Sequence, residues 1–113
     1  MSERIPDDWK EAVIQILEEG DHHNIEITES AIWDFQSMIP GAFICDMHEA
    51  FLKGLSSKDI EGNRKYDMFP PGIIFEFIFC YKGRFIYGKI GLSEDRTKVS
   101  IISAHRPKRG NSL

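Results

Sequence analysis

The chain holds two cysteines in 113 residues, and they do not form a CxxC pair. Cys45 and Cys80 each sit inside an apolar pattern and lack the spacing of metal ligands, which argues against a zinc ribbon. The expectation is two buried free thiols in a reducing cytoplasm, because free cysteine behaves as a small apolar residue. A disulfide or a thiol nucleophile is the alternative. No stretch approaches the ~18 uninterrupted apolar residues of a membrane-spanning helix. The opening run Met1-Ser2-Glu3-Arg4-Ile5-Pro6-Asp7-Asp8 is polar and acidic. It lacks the apolar centre of a secretory signal. There is no glycine-rich phosphate loop and no nucleophile elbow, which sets aside Walker and Rossmann proteins.

What is present fits one domain, residues 1–113, with 42% hydrophobic side chains to form a core. The net charge of −4 hides a division. Residues 1–52 carry two basic and twelve acidic side chains, whereas residues 53–113 carry twelve basic and six acidic ones. A basic half attracts a polyanion even in an acidic protein, since screening confines its field to about 8–10 Å. The plainer account is that the two halves neutralise each other across the fold.

Trp9, Val13, Ile16 and Leu17 recur at helical spacing and predict a helix from about Asp7 to Gly20, with Asp7 or Asp8 as N-cap. Ile25-Glu26-Ile27-Thr28 alternates as a short edge strand does. Thr28 or Ser30 caps a second predicted helix, Glu29 to Met38, which Ile39-Pro40-Gly41 breaks. A third is expected from about Ala42 to Gly54, with Phe43, Ile44, Met47, Phe51 and Leu52 as its apolar stripe and Gly54 as its C′ residue. Residues 1–54 are thus a helical acidic half. Residues 55–72 form a transition in which Ser57-Lys58-Asp59-Ile60 suggests one helical turn and Gly62-Asn63-Arg64-Lys65 a basic loop. Residues 73–105 read as an antiparallel sheet: Ile73 to Tyr81, Arg84 to Leu92 and Thr97 to Ala104. Lys82-Gly83 joins the first two as a two-residue loop; a type I′ turn needs positive φ at both positions, which Gly83 meets more easily than Lys82. Residues 106–113 are a basic tail. The order predicts an α+β fold, with N-terminal helices packed on one face of a C-terminal antiparallel sheet of three or more strands.

The short first hairpin sets its own register. If Tyr81 faces Arg84, then Glu76 faces Lys89 and Ile78 faces Tyr87, so Glu76, Tyr87 and Lys89 share one face of the sheet. Glu76 interrupts the apolar run Ile73-Ile74-Phe75-Glu76-Phe77-Ile78-Phe79. A carboxylate there is costly without a partner. It is either half of a structural Glu76–Lys89 pair or an acid–base group on a concave face. His105 follows the third strand in Ile101-Ile102-Ser103-Ala104-His105-Arg106. A four-residue second loop would aim it away from Glu76, and a bulge or odd-length loop would bring it back; otherwise it is a plain surface residue. His22-His23 lies in an acidic turn that offers at most weak metal binding, and His48 reads as a packing residue of the third helix.

Glu76, Tyr87, Lys89, His105 and Arg106, beside Arg64 and Lys65, suit metal-independent RNA cleavage. A carboxylate takes the 2′-OH proton, cations steady the charge on phosphorus, and an imidazole protonates the leaving 5′-oxygen. No cofactor or metal is implied.

Gly54-Leu55-Ser56-Ser57-Lys58-Asp59-Ile60 after a helix, then a basic loop, then Ile86-Tyr87-Gly88-Lys89-Ile90 and Val99-Ser100-Ile101-Ile102-Ser103, resemble the MqsR-type mRNA interferase toxins of the RelE- and barnase-like RNase group. Ile27-Thr28-Glu29-Ser30-Ala31 matches a stretch before that family's second helix, and the likeness spans about residues 10–106. It implies the toxin of a type II toxin–antitoxin system: a cytoplasmic endoribonuclease that cleaves single-stranded mRNA and is restrained by a cognate antitoxin. Tyr87 matches an important tyrosine of the family's middle strand. Glu76 stands where the family has a glutamine, His105 where it has a lysine, and Arg64 or Lys65 near a loop lysine. These departures move the set toward the Glu/His pair of barnase-like RNases. On this reading Glu76 is general base, His105 general acid, Tyr87 a hydrogen-bond donor or stacking platform, and Lys65, Arg64, Lys89 and Arg106 contact substrate. The alternatives are a non-catalytic protein-binding module, such as an immunity or antitoxin-like partner, for which the acidic half argues, and a simple RNA-binding domain.

Overall fold

Pro6 opens the first helix. In a computed structural model describing residues 2–66 and 68–108, Pro6 is the N-cap of α1 (Asp7–Glu19), and Asp7 and Asp8 lie in the first turn instead of capping it. Their carboxylates there still favour the positive end of the helix dipole. Gly20 closes the helix in a left-handed conformation, with φ 68°, and its N–H donates to the Ile16 carbonyl. Trp9, Val13, Ile16 and Leu17 are buried, as their spacing predicts. The Trp9 ring meets Phe75 edge-on at 4.9 Å, and its indole N–H donates to the Ile73 carbonyl at 2.9 Å.

Strand β1 (Glu3–Arg4) precedes α1, and β2 (Ile25–Ile27) follows it. Helix α2 (Glu29–Met38) is capped by Thr28, whose hydroxyl accepts from the Ala31 N–H at 3.1 Å and donates to the Ile102 carbonyl at 2.9 Å. Helix α3 spans Ile44–Leu55, later at both ends than its sequence suggests. It starts there because the Asp46 carboxylate accepts from the Phe43 N–H at 2.7 Å. That places Phe43 outside the first turn, 71% exposed, with Ile44 half exposed, so the buried stripe is Met47, Ala50, Phe51, Gly54 and Leu55. Gly54 is therefore a packing residue, not the C′ residue. His48 is half-buried, with Nε2 buried and unpartnered, and burial lowers its pKa.

Residues Ser57 to Ile60 form a turn with no helix, and Glu61–Lys65, expected to be a basic loop, is strand β3. The sheet continues with β4 (Ile73–Tyr81), β5 (Arg84–Leu92) and β6 (Val99–His105). Among the described residues the fold is α+β: three helices and a six-stranded sheet in the order β1-β3-β4-β5-β6-β2. Its β3-β4-β5-β6 centre is antiparallel, but β2 pairs parallel to β6, which makes the sheet mixed rather than antiparallel throughout. Lys82 (φ 51°) and Gly83 (φ 75°) form the expected tight turn. Cys45 and Cys80 are free thiols, but both are exposed. Cys45 sits on the outer side of α3 beside Phe43 and Ile44; Cys80 lies next to the hairpin turn, on the sheet face opposite Phe79. Of the basic tail, Arg109 onward lies outside the described residues. No helix among the described residues is long and apolar enough to cross a membrane.

The core lies where α3 meets β4 and β5. Phe51 packs on Phe77 and Phe79 at 6.0 and 5.0 Å. Two glycines permit this approach: a Cβ at Gly54 would fall 2.6 Å from the Phe79 ring, and one at Gly88 would fall 2.6 Å from the Phe51 ring. Gly54→Ala should therefore overpack the core and cost about 1–3 kcal/mol. Urea unfolding checks this: the midpoint falls for Gly54→Ala, whereas Glu11→Ala on the exposed side of α1 stays within about 0.5 kcal/mol of wild type.

Candidate functional site

The β4–β5 ladder has the register its turn predicts, with Glu76 opposite Lys89 and Ile78 opposite Tyr87. Successive strand residues alternate faces, so Phe75, Phe77 and Phe79 turn toward the core and Glu76, Tyr87 and Lys89 to the other side. β3 extends that second face. Asn63 pairs with Glu76 and Lys65 with Ile74, which places both side chains beside the carboxylate. Arg64, paired with Phe75, points to the opposite face and lies over the Tyr66 ring at 4.9 Å. It is not part of the cluster.

His105 reaches this face through a register shift. Leu92 pairs with Val99 and Ile90 with Ile101, which by alternation would turn His105 away from Tyr87. Between Lys89 and Ile90 the register slips, Ile102 is left unpaired, and beyond it Lys89 pairs with Ser103 and Tyr87 with His105. One extra residue changes the face of everything that follows it. The imidazole stacks on the Tyr87 ring at 4.7 Å and 14°. Its Nδ1 lies 2.7 Å from the Arg106 carbonyl, which can only accept, so Nδ1 carries a proton and Nε2 is left for proton exchange. Arg106 and Lys108 are exposed past the strand end.

Among the described residues Glu76 is the buried charged side chain, 8% exposed, although it lies on the face away from the core. Its Oε1 accepts from the Tyr87 hydroxyl at 2.5 Å and its Oε2 from the Asn63 amide at 3.1 Å. The ion-pair partner is Lys65 at 3.8 Å, not the cross-strand Lys89. Burial raises the carboxyl pKa, but the hydrogen bonds from Tyr87 and Asn63 and the charges of Lys65 and Lys89 outweigh it and hold the group below its ordinary value. Glu76 is thus an anion at neutral pH. Burial, then the Glu76 hydrogen bond and charge, push the Tyr87 phenol well above the usual tyrosine range, so it stays protonated and donates. The Lys89 ammonium is made less stable by burial, then by Lys65 and Lys108, with Glu76 opposing.

The fold therefore gathers Glu76, Tyr87, His105, Lys65 and Lys89 on one face, with Arg106 at its margin and Arg64 excluded. Sequence reasoning missed Asn63 and Lys108. Asn63 was hidden by reading residues 62–65 as a loop, since the all-polar run Asn63-Arg64-Lys65 carries no strand signal of its own. Elsewhere, Asp21, His22 and His23 bring a carboxylate and two ring nitrogens within 4.8 Å of one another, all exposed. Such a set could hold a soft-to-borderline divalent metal, but it lies on a turn away from the sheet face. Comparison with protein families, curated proteins and solved structures finds no match to this chain.

Tyr87→Phe leaves the buried carboxylate one donor short and should cost about 1–3 kcal/mol of stability. Because the folded pKa of Glu76 is depressed, its contribution is complete above its ordinary value of 4.5 and is lost as pH falls through the folded value. The stability advantage of wild type over Glu76→Gln should accordingly be greatest at neutral pH and shrink below pH 4.5, as measured by denaturant unfolding at a series of pH values.

Proposed function

We propose that this protein is a metal-independent endoribonuclease acting on single-stranded mRNA, with its site on the sheet face that carries Glu76, Tyr87 and His105. The observation that carries the reading is the bulge at Ile102, which sets an imidazole on the phenol that holds a buried carboxylate. The chemistry follows from what each group can accept or donate. The Glu76 carboxylate takes the 2′-OH proton as the 2′-oxygen attacks phosphorus. The P–O5′ bond breaks, and Nε2–H of the His105 imidazolium protonates the departing 5′-oxygen. The products are a 2′,3′-cyclic phosphate and a 5′-hydroxyl. Tyr87, too weak an acid to give up its proton, orients Glu76. Lys65, Lys89 and Arg106 neutralise the charge that builds on phosphorus.

The resemblance to MqsR-type toxins extends the reading. The fold would be RelE- or barnase-like, with its helices on one face of the sheet; Trp9 of α1 and Phe51 of α3 both packing on the Phe75-Phe77-Phe79 side supports that. The protein would be the toxin of a type II toxin–antitoxin pair, restrained in the cytoplasm by a cognate antitoxin that covers the basic face. One observation favours a second reading. Glu76 is nearly enclosed, with both oxygens accepting hydrogen bonds, and this suits RNA binding without cleavage as a structural carboxylate would.

The test is cleavage of a single-stranded RNA in the presence of a chelator. Wild type should yield cyclic-phosphate ends, and His105→Ala, folded by circular dichroism, should lose about 10²–10⁴-fold in rate. An undiminished rate removes His105 from the mechanism. Binding with intact RNA after prolonged incubation of wild type selects the second reading.

A further inference from the structure

Phe85 stands out on the same sheet face. It lies two residues before Tyr87 on β5, so the two side chains project to one side about 7 Å apart along the strand. It is 48% exposed, whereas Phe75, Phe77 and Phe79 on the other side of the sheet are buried. Its cross-strand partner Cys80 is exposed too, and the neighbouring Ile78 only half-buried. Leaving a phenylalanine in water forfeits about 1.5–3 kcal/mol of possible burial, and nothing in the strand's pairing requires an aromatic there. Lys89 and Lys65 lie further along the same face, whereas Arg84 alternates to the other face and Lys82 lies over the Tyr81 ring on that other side. Of the carboxylates here, Glu76 is engaged by Tyr87, Asn63 and Lys65, and Glu61 accepts from the Ser2 hydroxyl.

An exposed ring on the face that also carries Lys89 and Lys65 suits a polyanion with flat apolar faces, which is the chemistry of a single-stranded nucleic acid. Tyr87 cannot offer both faces of its ring, since His105 covers one. We propose that Phe85 is the stacking platform for a base flanking the reacting phosphate, so that the β4–β5 hairpin tip grips the strand about one nucleotide beyond the Glu76–Tyr87–His105 cluster. This rests on the reading that the face receives single-stranded RNA, but not on cleavage.

The test is therefore a binding measurement on an RNA that cannot be cut. Fluorescence anisotropy with a 2′-O-methyl oligonucleotide should show Phe85→Ala weakening binding roughly 5- to 100-fold and Phe85→Trp restoring it. An abasic nucleotide at one position of the oligonucleotide should abolish the difference between wild type and Phe85→Ala, and 2-aminopurine at that position should be quenched by wild type alone. Equal binding by Phe85→Ala and wild type overturns the proposal. So does a loss that no abasic position relieves, or a Phe85→Ala defect confined to binding of a protein partner. If wild type binds in this Phe85-dependent manner yet leaves ordinary RNA intact, the platform stands and the nuclease reading falls. If wild type binds no RNA, both fall.

Discussion

The register shift in β6 is the constraint on which the candidate site depends. A strand has only two faces, and the hairpin between β5 and β6 assigns His105 to the face away from Tyr87. One unpaired residue, Ile102, reverses that assignment three residues before His105. An unpaired residue in a ladder leaves backbone groups to be satisfied elsewhere. Here the neighbouring helix supplies the partner. The Thr28 hydroxyl donates to the Ile102 carbonyl while it caps α2, and the Thr28 N–H donates to the Ile101 carbonyl. The start of α2, the parallel strand β2 and the bulge are thus one unit, and the position of the imidazole is tied to residues far away in sequence.

The carboxylate raises the opposite difficulty. Glu76 occupies a strand whose neighbours are all apolar, where an unpaired charge would be expelled or neutralised. It remains ionised because two uncharged donors hydrogen-bond it, the Lys65 ammonium pairs with it and the Lys89 charge lies nearby, and the shortest contact is from a phenol that cannot itself ionise in the same range. That arrangement makes Glu76 a weak base at rest. Loss of one of those donors would make the remaining oxygen more basic.

Much of this was legible in the amino-acid order, and the rest failed for physical reasons. The two-residue turn at Lys82-Gly83 sets the β4–β5 register without outside help, so the Glu76–Lys89 and Ile78–Tyr87 facings follow from arithmetic. α1 was readable from periodicity and its Gly20 stop, though its N-cap is Pro6 and not Asp7 or Asp8, and α2 from periodicity and its Thr28 cap. Residues 61–65 were not, since Glu61-Gly62-Asn63-Arg64-Lys65 has no apolar alternation. It becomes a strand because β4 presents an edge and Gly62 lets the backbone come close; a Cβ there would lie 2.3 Å from the Glu76 carbonyl. Arg64 and Lys65 were therefore indistinguishable in sequence, yet pairing separates them onto opposite faces. The bulge left no local trace either, because its stabilising partner is Thr28.

The division of charge along the chain takes on a different meaning once the strands are paired. Lys65 is tied to Glu76, so it is only partly available to a ligand. Lys89 is the contrasting case. It stands opposite the carboxylate but not in contact with it, and burial together with Lys65 and Lys108 makes its ammonium less stable than in water. A fold optimised only for stability would not crowd like charges at a half-buried position. The opposing charge is that of Glu76, so the site's own anion answers part of the repulsion, and the division of charge along the sequence is resolved locally, at this face, rather than half against half.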